Sequence, residues 1–350
     1  MTARVGVMIV EDSTVVRHLL AATIARDPRL AVVSAVASAE EALQLLDRVR
    51  PNVISMDIRL PGMDGLEAIR QIMALRPTPI VVIADSVNDA SLRISMNALR
   101  AGALSVVEKP VGVATEGYEE MASTICTQLY IMSEVAVVRR RAIGQPRPPA
   151  PVFEPVADEV LGPSRPAVIG IGTSTGGPPA LARVLGALPA DFAVPILVVQ
   201  HMGPSFMEGF AGWLDGIVPP RVVIGRDGQV VQPGHVYVAP GGLHLTMTAG
   251  GILRTSSAPP LAGQRPSATL LFQSLARAAG ANAVGVLLTG MGEDGALGLR
   301  DMRQAGAYTI AEHESSAVVY GMPAAAVRMG AARATLPLDL IAPKLKALVP

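Results

Sequence analysis

Residues 168–181 read VIGIGTSTGGPPAL. The first four, Val168 to Ile171, form an apolar run of the length of a buried strand. Pro178 and Pro179 fit the first turn of a helix, where a missing N–H costs no hydrogen bond. Together they predict a strand, a tight glycine-rich turn and a helix. The hydroxyls of Thr173, Ser174 and Thr175 fall in that turn, at the helix start. Glycines there let another group approach the backbone, and a helix N-terminus favours negative charge. Three roles suit such a turn. A hydroxyl can cap the helix. The loop can cradle a phosphate. A serine can act as a nucleophile, with its tetrahedral oxyanion stabilised nearby. The stretch by itself leaves all three open.

The sequence on its C-terminal side narrows the choice. Short β runs at 195–199, 283–289 and 308–311 alternate with helical stretches at 205–214, 267–279, up to 305, and 323–330. This predicts a Rossmann-like, mostly parallel α/β domain. Residues 221–257 break the pattern, with glycine-rich turns between short β runs, and predict an antiparallel hairpin insertion. Ser174, His201 and Asp294 each lie just past a predicted parallel strand. Parallel strands bring their carboxyl ends to one edge, so the three side chains can meet there. A hydroxyl, an imidazole and a carboxylate are the parts of a nucleophilic triad: the imidazole takes the serine proton and the carboxylate orients it. The other histidines, His18, His235, His244 and His313, lack such partners in the pattern and read as structural.

On the N-terminal side, β runs at 5–10, 31–36, 53–56, 80–83 and 105–107 alternate with helices at 14–26, 39–49, 64–75, 88–101 and 116–133. That alternation predicts a doubly wound parallel sheet. Its strands end at Glu11 and Asp12, at Asp57, and at Lys109. Carboxylates converging with one lysine suit a hard divalent cation such as Mg²⁺, with positions left for phosphate oxygens. Between the halves, residues 139–166 are proline-rich without helix or strand period, which is linker composition. The expected organisation is therefore a domain at 1–138, a linker at 139–166 and a second domain at 167–350.

Composition limits the function classes. Half of the 350 residues are apolar, enough for sizeable cores. The formal net charge is zero, which argues against a nucleic-acid partner. Cys126 is the only cysteine, so an intramolecular disulfide and a cysteine metal site are both excluded. No apolar run has the length of a membrane span, and the N-terminus runs straight into a strand without a signal-peptide pattern. The expected location is the cytoplasm.

Two resemblances sharpen this reading. VMIVEDS, SMDIRLPGMDG and VEKP, within residues 4–125, resemble the receiver domain of two-component response regulators. The resemblance implies a flavodoxin-like sheet of order 2-1-3-4-5, with Asp57 as phosphoacceptor and Lys109 in contact with the phosphoryl group. It further implies Mg²⁺ held by Glu11, Asp12, Asp57 and the backbone carbonyl of Arg59, and a histidine kinase as phosphodonor. One position departs from the pattern: receivers carry Ser or Thr at the end of the fourth strand, where this chain has Ala84, followed by Asp85 and Ser86.

IGTSTGGPPAL, VVQHM, VYVAPGGLHL, QRPS…LFQSLA, LLTGMGEDGA and VVYGMPAAAV, within 167–347, resemble the catalytic domain of the chemotaxis protein-glutamate methylesterases, the CheB family. By that resemblance Ser174 is the nucleophile, His201 the general base and Asp294 the orienting acid. Thr175 and Met291 would lie beside the site, with the Met291 N–H a candidate oxyanion donor. Departures are Glu312-His313-Glu314, where members often carry a Gln-Asp-Glu type of run, and Glu293 in place of a common Asn. The implied function is a phosphorylation-regulated serine esterase acting on glutamate γ-methyl esters of methyl-accepting chemoreceptors, with glutamine deamidation by the same chemistry. Ester hydrolysis would need no cofactor. A nucleotide enzyme using GTSTGG as a phosphate cradle is disfavoured because that loop has no lysine. A phosphorylation-dependent binding regulator with weak or no esterase activity is the remaining alternative.

Overall fold

A computed structural model describes residues 4–84, 96–110, 118–135 and 166–349. The chain divides into two compact units, 1–148 and 149–350. The predicted linker at 139–166 falls outside the described residues except for Pro166. So does the 88–95 part of the fourth predicted helix, of which 96–101 is helical. No helix among the described residues is long and apolar enough to cross a membrane.

In the first unit β1 (Val5–Val10), β2 (Leu30–Val36), β3 (Val53–Met56), β4 (Ile80–Ala84) and β5 (Ser105–Glu108) form one sheet of order β2-β1-β3-β4-β5. Every pairing is parallel, as the strand–helix alternation requires. The helices start where short polar side chains can cap them. Ser13, Ser38 and Asp64 accept hydrogen bonds from Val16, Glu41 and Glu67 N–H groups. The central strands β3 and β4 are buried along their whole length, which explains their continuous apolar runs.

The second unit is built on a seven-stranded sheet of order β14-β13-β12-β6-β7-β9-β8. Its strands are β6 (Val168–Thr173), β7 (Ile196–Gln200), β8 (Arg221–Ile224), β9 (His235–Val238), β12 (Ala283–Leu287), β13 (Tyr308–Glu312) and β14 (Ala334–Leu336). A separate antiparallel pair is formed by β10 (His244–Met247) and β11 (Leu253–Ser256). β6 lies at the centre and is fully buried. It carries Gly170 and Gly172, where a Cβ would fall 2.5 Å from Leu275 Cδ1 and 2.7 Å from Ala268 Cβ. Glycine at these two positions lets the helix Ala268–Ala279 lie directly on the strand, with Leu271, Phe272 and Leu275 in the core.

The expected antiparallel insertion is present as the β10–β11 pair, but it is shorter than 221–257. Residues 221–257 are not all hairpin: β8 and β9 pair parallel to each other, and β9 pairs parallel to β7, at the edge of the main sheet. Short strands between glycine turns look alike in sequence whether they pair with their neighbour or join an existing sheet. Two elements beyond the predicted 323–330 helix are not expected from the sequence. β14 and the helix Leu338–Leu348 follow, the latter enclosing Pro343. A proline inside the helix and a strand of three residues both hide these elements from a periodicity search.

Candidate active site

The register of the central strands assembles the site. Thr173 at the end of β6 pairs with Gln200 at the end of β7. Ser174 and His201 are therefore the next residues on two adjacent parallel strands, and His201 N–H donates to Thr173 O at 3.0 Å. On the other side of β6, Leu287 of β12 pairs with Gly172, and the loop after β12 brings Asp294 to the same edge. His201 Nε2 lies 2.9 Å from Asp294 Oδ2, with both side chains nearly buried. The other ring nitrogen, Nδ1, is buried without a hydrogen-bond partner among the described residues.

Asp294 is held as an anion. Its Oδ1 accepts from Ser267 Oγ at 2.7 Å and Thr269 N at 3.1 Å, and its Oδ2 accepts from Ala268 N at 2.7 Å. The two N–H groups and the Ser267 cap belong to the start of the helix Ala268–Ala279, whose dipole also favours negative charge. Burial works to raise the Asp294 pKa, but the hydrogen bonds and charge of His201, with Ser267 and Thr269, outweigh it and hold the carboxyl at about 2. An ionised carboxylate only accepts, so in the neutral imidazole of His201 the proton belongs on Nε2 and the lone pair on Nδ1. That is the tautomer a general base needs.

The depressed pKa has a consequence for stability. The folded value of about 2 lies below the ordinary value of 3.8, so the ionised form stabilises the fold. The contribution is fully present above about pH 4 to 5 and disappears as pH falls through the folded pKa; it is on the order of 2 kcal/mol. Urea unfolding of the intact chain between pH 5 and 2 should show a steeper loss for the wild type than for Asp294→Asn. Equal slopes would mean that Asp294 is not ionised with this stabilisation.

Ser174 sits in the turn between β6 and the helix Gly177–Leu185. That helix is capped by Gly176 in the left-handed region (φ 77°), with no side-chain cap hydrogen bond and proline in its first turn. The reading of Ser174 or Thr175 as a helix cap therefore fails. Because Gly176 carries the turn, the hydroxyls before it are not needed at the helix end. Gln200 Nε2 donates to both Ser174 O (2.8 Å) and His201 O (2.9 Å), tying the two strand ends together. Gly290 approaches closely from β12's loop: a Cβ there would fall 2.7 Å from Ser174 Cβ. Thr175, in Ser174's turn, is buried, and Met291, in the loop after β12, is exposed. Neither of their N–H groups has a backbone acceptor among the described residues.

The first unit brings its strand-end charges together in the same way. Asp57 N donates to Val10 O at 2.9 Å, which sets Asp57 beside the end of β1. Lys109 Nζ lies 2.8 Å from Asp57 Oδ2 and 3.0 Å from Glu11 Oε2. Burial, and then the Asp57 charge, push the Glu11 carboxyl up, with Lys109 opposing. Burial lowers the Lys109 pKa, but its contacts with Asp57 and Glu11 outweigh this and leave it raised. Glu11, Asp12 and Asp57 offer carboxylate oxygens within 4.8 Å of one another. Three carboxylates against one ammonium leave an excess of negative charge, which fits a divalent cation with oxygen ligands. Arg59 N donates to Asp57 Oδ1 at 3.2 Å, so the Arg59 peptide sits in the turn beside this cluster. Ala84 ends β4 and accepts from Lys109 N at 3.0 Å; Asp85 and Ser86 lie outside the described residues.

Two family models match the chain: a CheB methylesterase model over residues 169–345 and a response regulator receiver domain model over 7–115. Protein-glutamate methylesterase/protein-glutamine glutaminase 2 of Paramagnetospirillum magneticum is 52% identical over 99% of this chain and 98% of its own length. The chain belongs to the CheB methylesterase family. A second relative, protein-glutamate methylesterase/protein-glutamine glutaminase 4 of Myxococcus xanthus, is 44% identical over 97% of this chain and 95% of its own length. The crystal structure of the Thermotoga maritima CheB methylesterase catalytic domain is 36% identical, has a TM-score of 0.51, and covers 53% of this chain and 99% of that one.

Within this CheB-family fold, some neighbours of the site had no assigned role in the sequence. Ser267, Ala268 and Thr269 surround the Asp294 carboxylate from 25 to 27 residues away. The only signal was a serine placed to cap a predicted helix, since a helix start collects anions. His244 is buried behind them, its Nδ1 accepting from Ser267 N at 3.2 Å. The two departures from the CheB pattern differ in kind. Glu293 is exposed and pairs with Arg328 at 2.9 Å. Glu312 is fully buried and accepts from Thr289 N at 2.8 Å and Ser316 Oγ at 2.9 Å. Burial pushes its pKa up against those two hydrogen bonds.

Proposed function

We propose that this chain is a phosphorylation-regulated serine esterase that hydrolyses glutamate γ-methyl esters on chemoreceptors and deamidates glutamines by the same route. The observation that carries the reading is the Asp294–His201 contact of 2.9 Å, with Ser174 and His201 following paired residues of adjacent strands. Ser174 Oγ attacks the ester carbonyl while His201 Nδ1 takes its proton. The oxyanion forms against backbone N–H groups, with Thr175 and Met291 as the candidates. His201 then protonates the departing methoxide, and methanol leaves. A water molecule, deprotonated by His201, hydrolyses the acyl-enzyme and restores Ser174 and a free carboxylate. In deamidation the leaving group is ammonia and the other steps are unchanged. Throughout, Asp294 stays ionised and stabilises the imidazolium. A fluorophosphonate probe tests this directly: it should label Ser174 and no other residue, and labelling should vanish in Ser174→Ala. Absence of labelling in the wild type would favour a binding regulator.

In the receiver, Asp57 is the proposed phosphoacceptor, Lys109 the cation for the phosphoryl group, and a chemotaxis-type histidine kinase the donor. Glu11, Asp12, Asp57 and the Arg59 carbonyl would hold Mg²⁺, which when bound offsets the negative charge of the phosphoryl group. The domain limits that go with this reading are 1–138 for the receiver with its C-terminal helix, 139–166 for the linker and 167–350 for the esterase.

Ala84 should weaken the switch. A hydroxyl there would meet a phosphoryl oxygen only in the phosphorylated state, and a charge-assisted bond of that kind is worth about 1.5–3 kcal/mol. A modification shifts an equilibrium only through contacts that differ between the two states. Saturating the receiver with beryllofluoride, a phosphate mimic, should therefore activate Ala84→Thr several-fold more than the wild type, with Asp57→Asn unresponsive. Equal activation, abolished by Ser86→Ala, would show that Ser86 supplies the hydroxyl.

A further inference from the structure

The loop after β12 does more than deliver Asp294. Thr289 is fully buried, and both its carbonyl and its hydroxyl bond the turn that holds Ser174. Its carbonyl accepts from Ser174 N at 3.0 Å and from Thr173 Oγ1 at 2.9 Å. Its hydroxyl donates to Thr175 O at 2.9 Å and accepts from Val319 N at 2.9 Å. Its N–H donates to the buried carboxylate of Glu312 at 2.8 Å. The residues before, at and after the nucleophile are thus all fixed by one side chain and its backbone. Behind it, Glu312 Oε1 accepts from Ser316 Oγ, which in turn accepts from Leu338 N at 2.9 Å, so the chain of bonds ends in the start of the last helix.

We propose that Thr289, anchored by Glu312, is a positioning residue that sets where Ser174 Oγ points. The inference rests on Ser174 being the nucleophile. Other bonds hold the Ser174 N–H and the Ser174 carbonyl, the latter through Gly177 N at 2.9 Å and Gln200 Nε2 at 2.8 Å, but not the Thr175 carbonyl that follows. Among the described residues only the Thr289 hydroxyl reaches the Thr175 carbonyl, and so sets the orientation of the peptide between Thr175 and Gly176. Without it the turn can rotate about Gly176, whose φ of 77° tolerates wide variation. A displacement of about 1 Å at a reacting atom can cost on the order of 10²-fold in rate.

Thr289→Val keeps the shape and removes the hydroxyl. It should lower kcat for methanol release about 10- to 100-fold with KM within about 3-fold, and slow fluorophosphonate labelling of Ser174 by a similar factor. Thr289→Ser restores the hydroxyl and should return both to within about 3-fold of wild type. A role in folding alone would lower the melting temperature of Thr289→Val without this kcat loss in the folded fraction. If Thr289→Val does not fold, Thr289→Cys carries the test, its thiol being a weaker donor at the same place, with an expected loss of about 10-fold. Wild-type labelling and turnover in folded Thr289→Val, or a change confined to KM, would overturn the proposal. The labelling rate does not depend on which ester is the natural substrate. Failure of the chemoreceptor reading would therefore appear as no methanol release in the wild type, while labelling still reports on Thr289.

Discussion

Ser174→Ala should abolish methanol release from methylated chemoreceptor, lowering kcat by about 10⁴- to 10⁶-fold, as loss of a triad nucleophile does elsewhere. The size of the effect follows from the site. Among the described residues His201 Nδ1 is buried without a hydrogen-bond partner, so no other group competes with the Ser174 hydroxyl for it in the proposed mechanism. With alanine at 174 only the oxyanion donors and substrate binding remain. The substitution removes no cap, because Gly176 caps the following helix, so the fold should be unaffected. Circular dichroism and melting temperature should match the wild type while turnover is lost. Turnover within tenfold of wild type would remove Ser174 from the mechanism.

Asp294→Asn should cost about 10⁴-fold in kcat, and for a different reason. All partners of the carboxylate are donors: Ser267 Oγ, Ala268 N, Thr269 N and His201 Nε2. An amide must turn its NH₂ toward one pair of them. Turned toward Ser267 and Thr269, it faces an N–H at the helix start. Turned toward His201 and Ala268, it donates to His201 Nε2 and moves the ring proton to Nδ1, the atom that should be the base. The variant should therefore lose stability as well as rate, whereas Ser174→Ala loses rate alone. A kcat within tenfold of wild type, in a chain of unchanged melting temperature, would show that Asp294 does not set the His201 tautomer.

Much of this site could be read from the chain because its parts sit at strand ends. An apolar run, a glycine turn and two prolines fix a strand, a turn and a helix, and β6 with the helix Gly177–Leu185 is that unit. Parallel strands then place Ser174 next to His201 without any knowledge of packing. What sequence pattern could not provide was the set of contacts made across long separations. The donors around Asp294 come from the start of a helix 25 to 27 residues away, and Thr289 reaches Thr175 across 114 residues. Nothing periodic marks such pairs. The capping role offered to Ser174 failed for a related reason: a left-handed glycine ends the turn one step later, and no hydrophobic pattern reports φ. β8 and β9 misled because a glycine turn between short strands does not say which neighbour each strand will pair with.

The most direct test of the account is methanol release from a chemoreceptor fragment carrying methyl-labelled glutamyl esters, incubated with the intact wild-type chain in the presence of a metal chelator. The account predicts volatile labelled methanol, with free glutamate restored at the same positions by mass spectrometry, because Ser174, His201 and Asp294 need no metal. Intact esters after prolonged incubation, under conditions where the chain is folded and its serine reacts with fluorophosphonate, would contradict it.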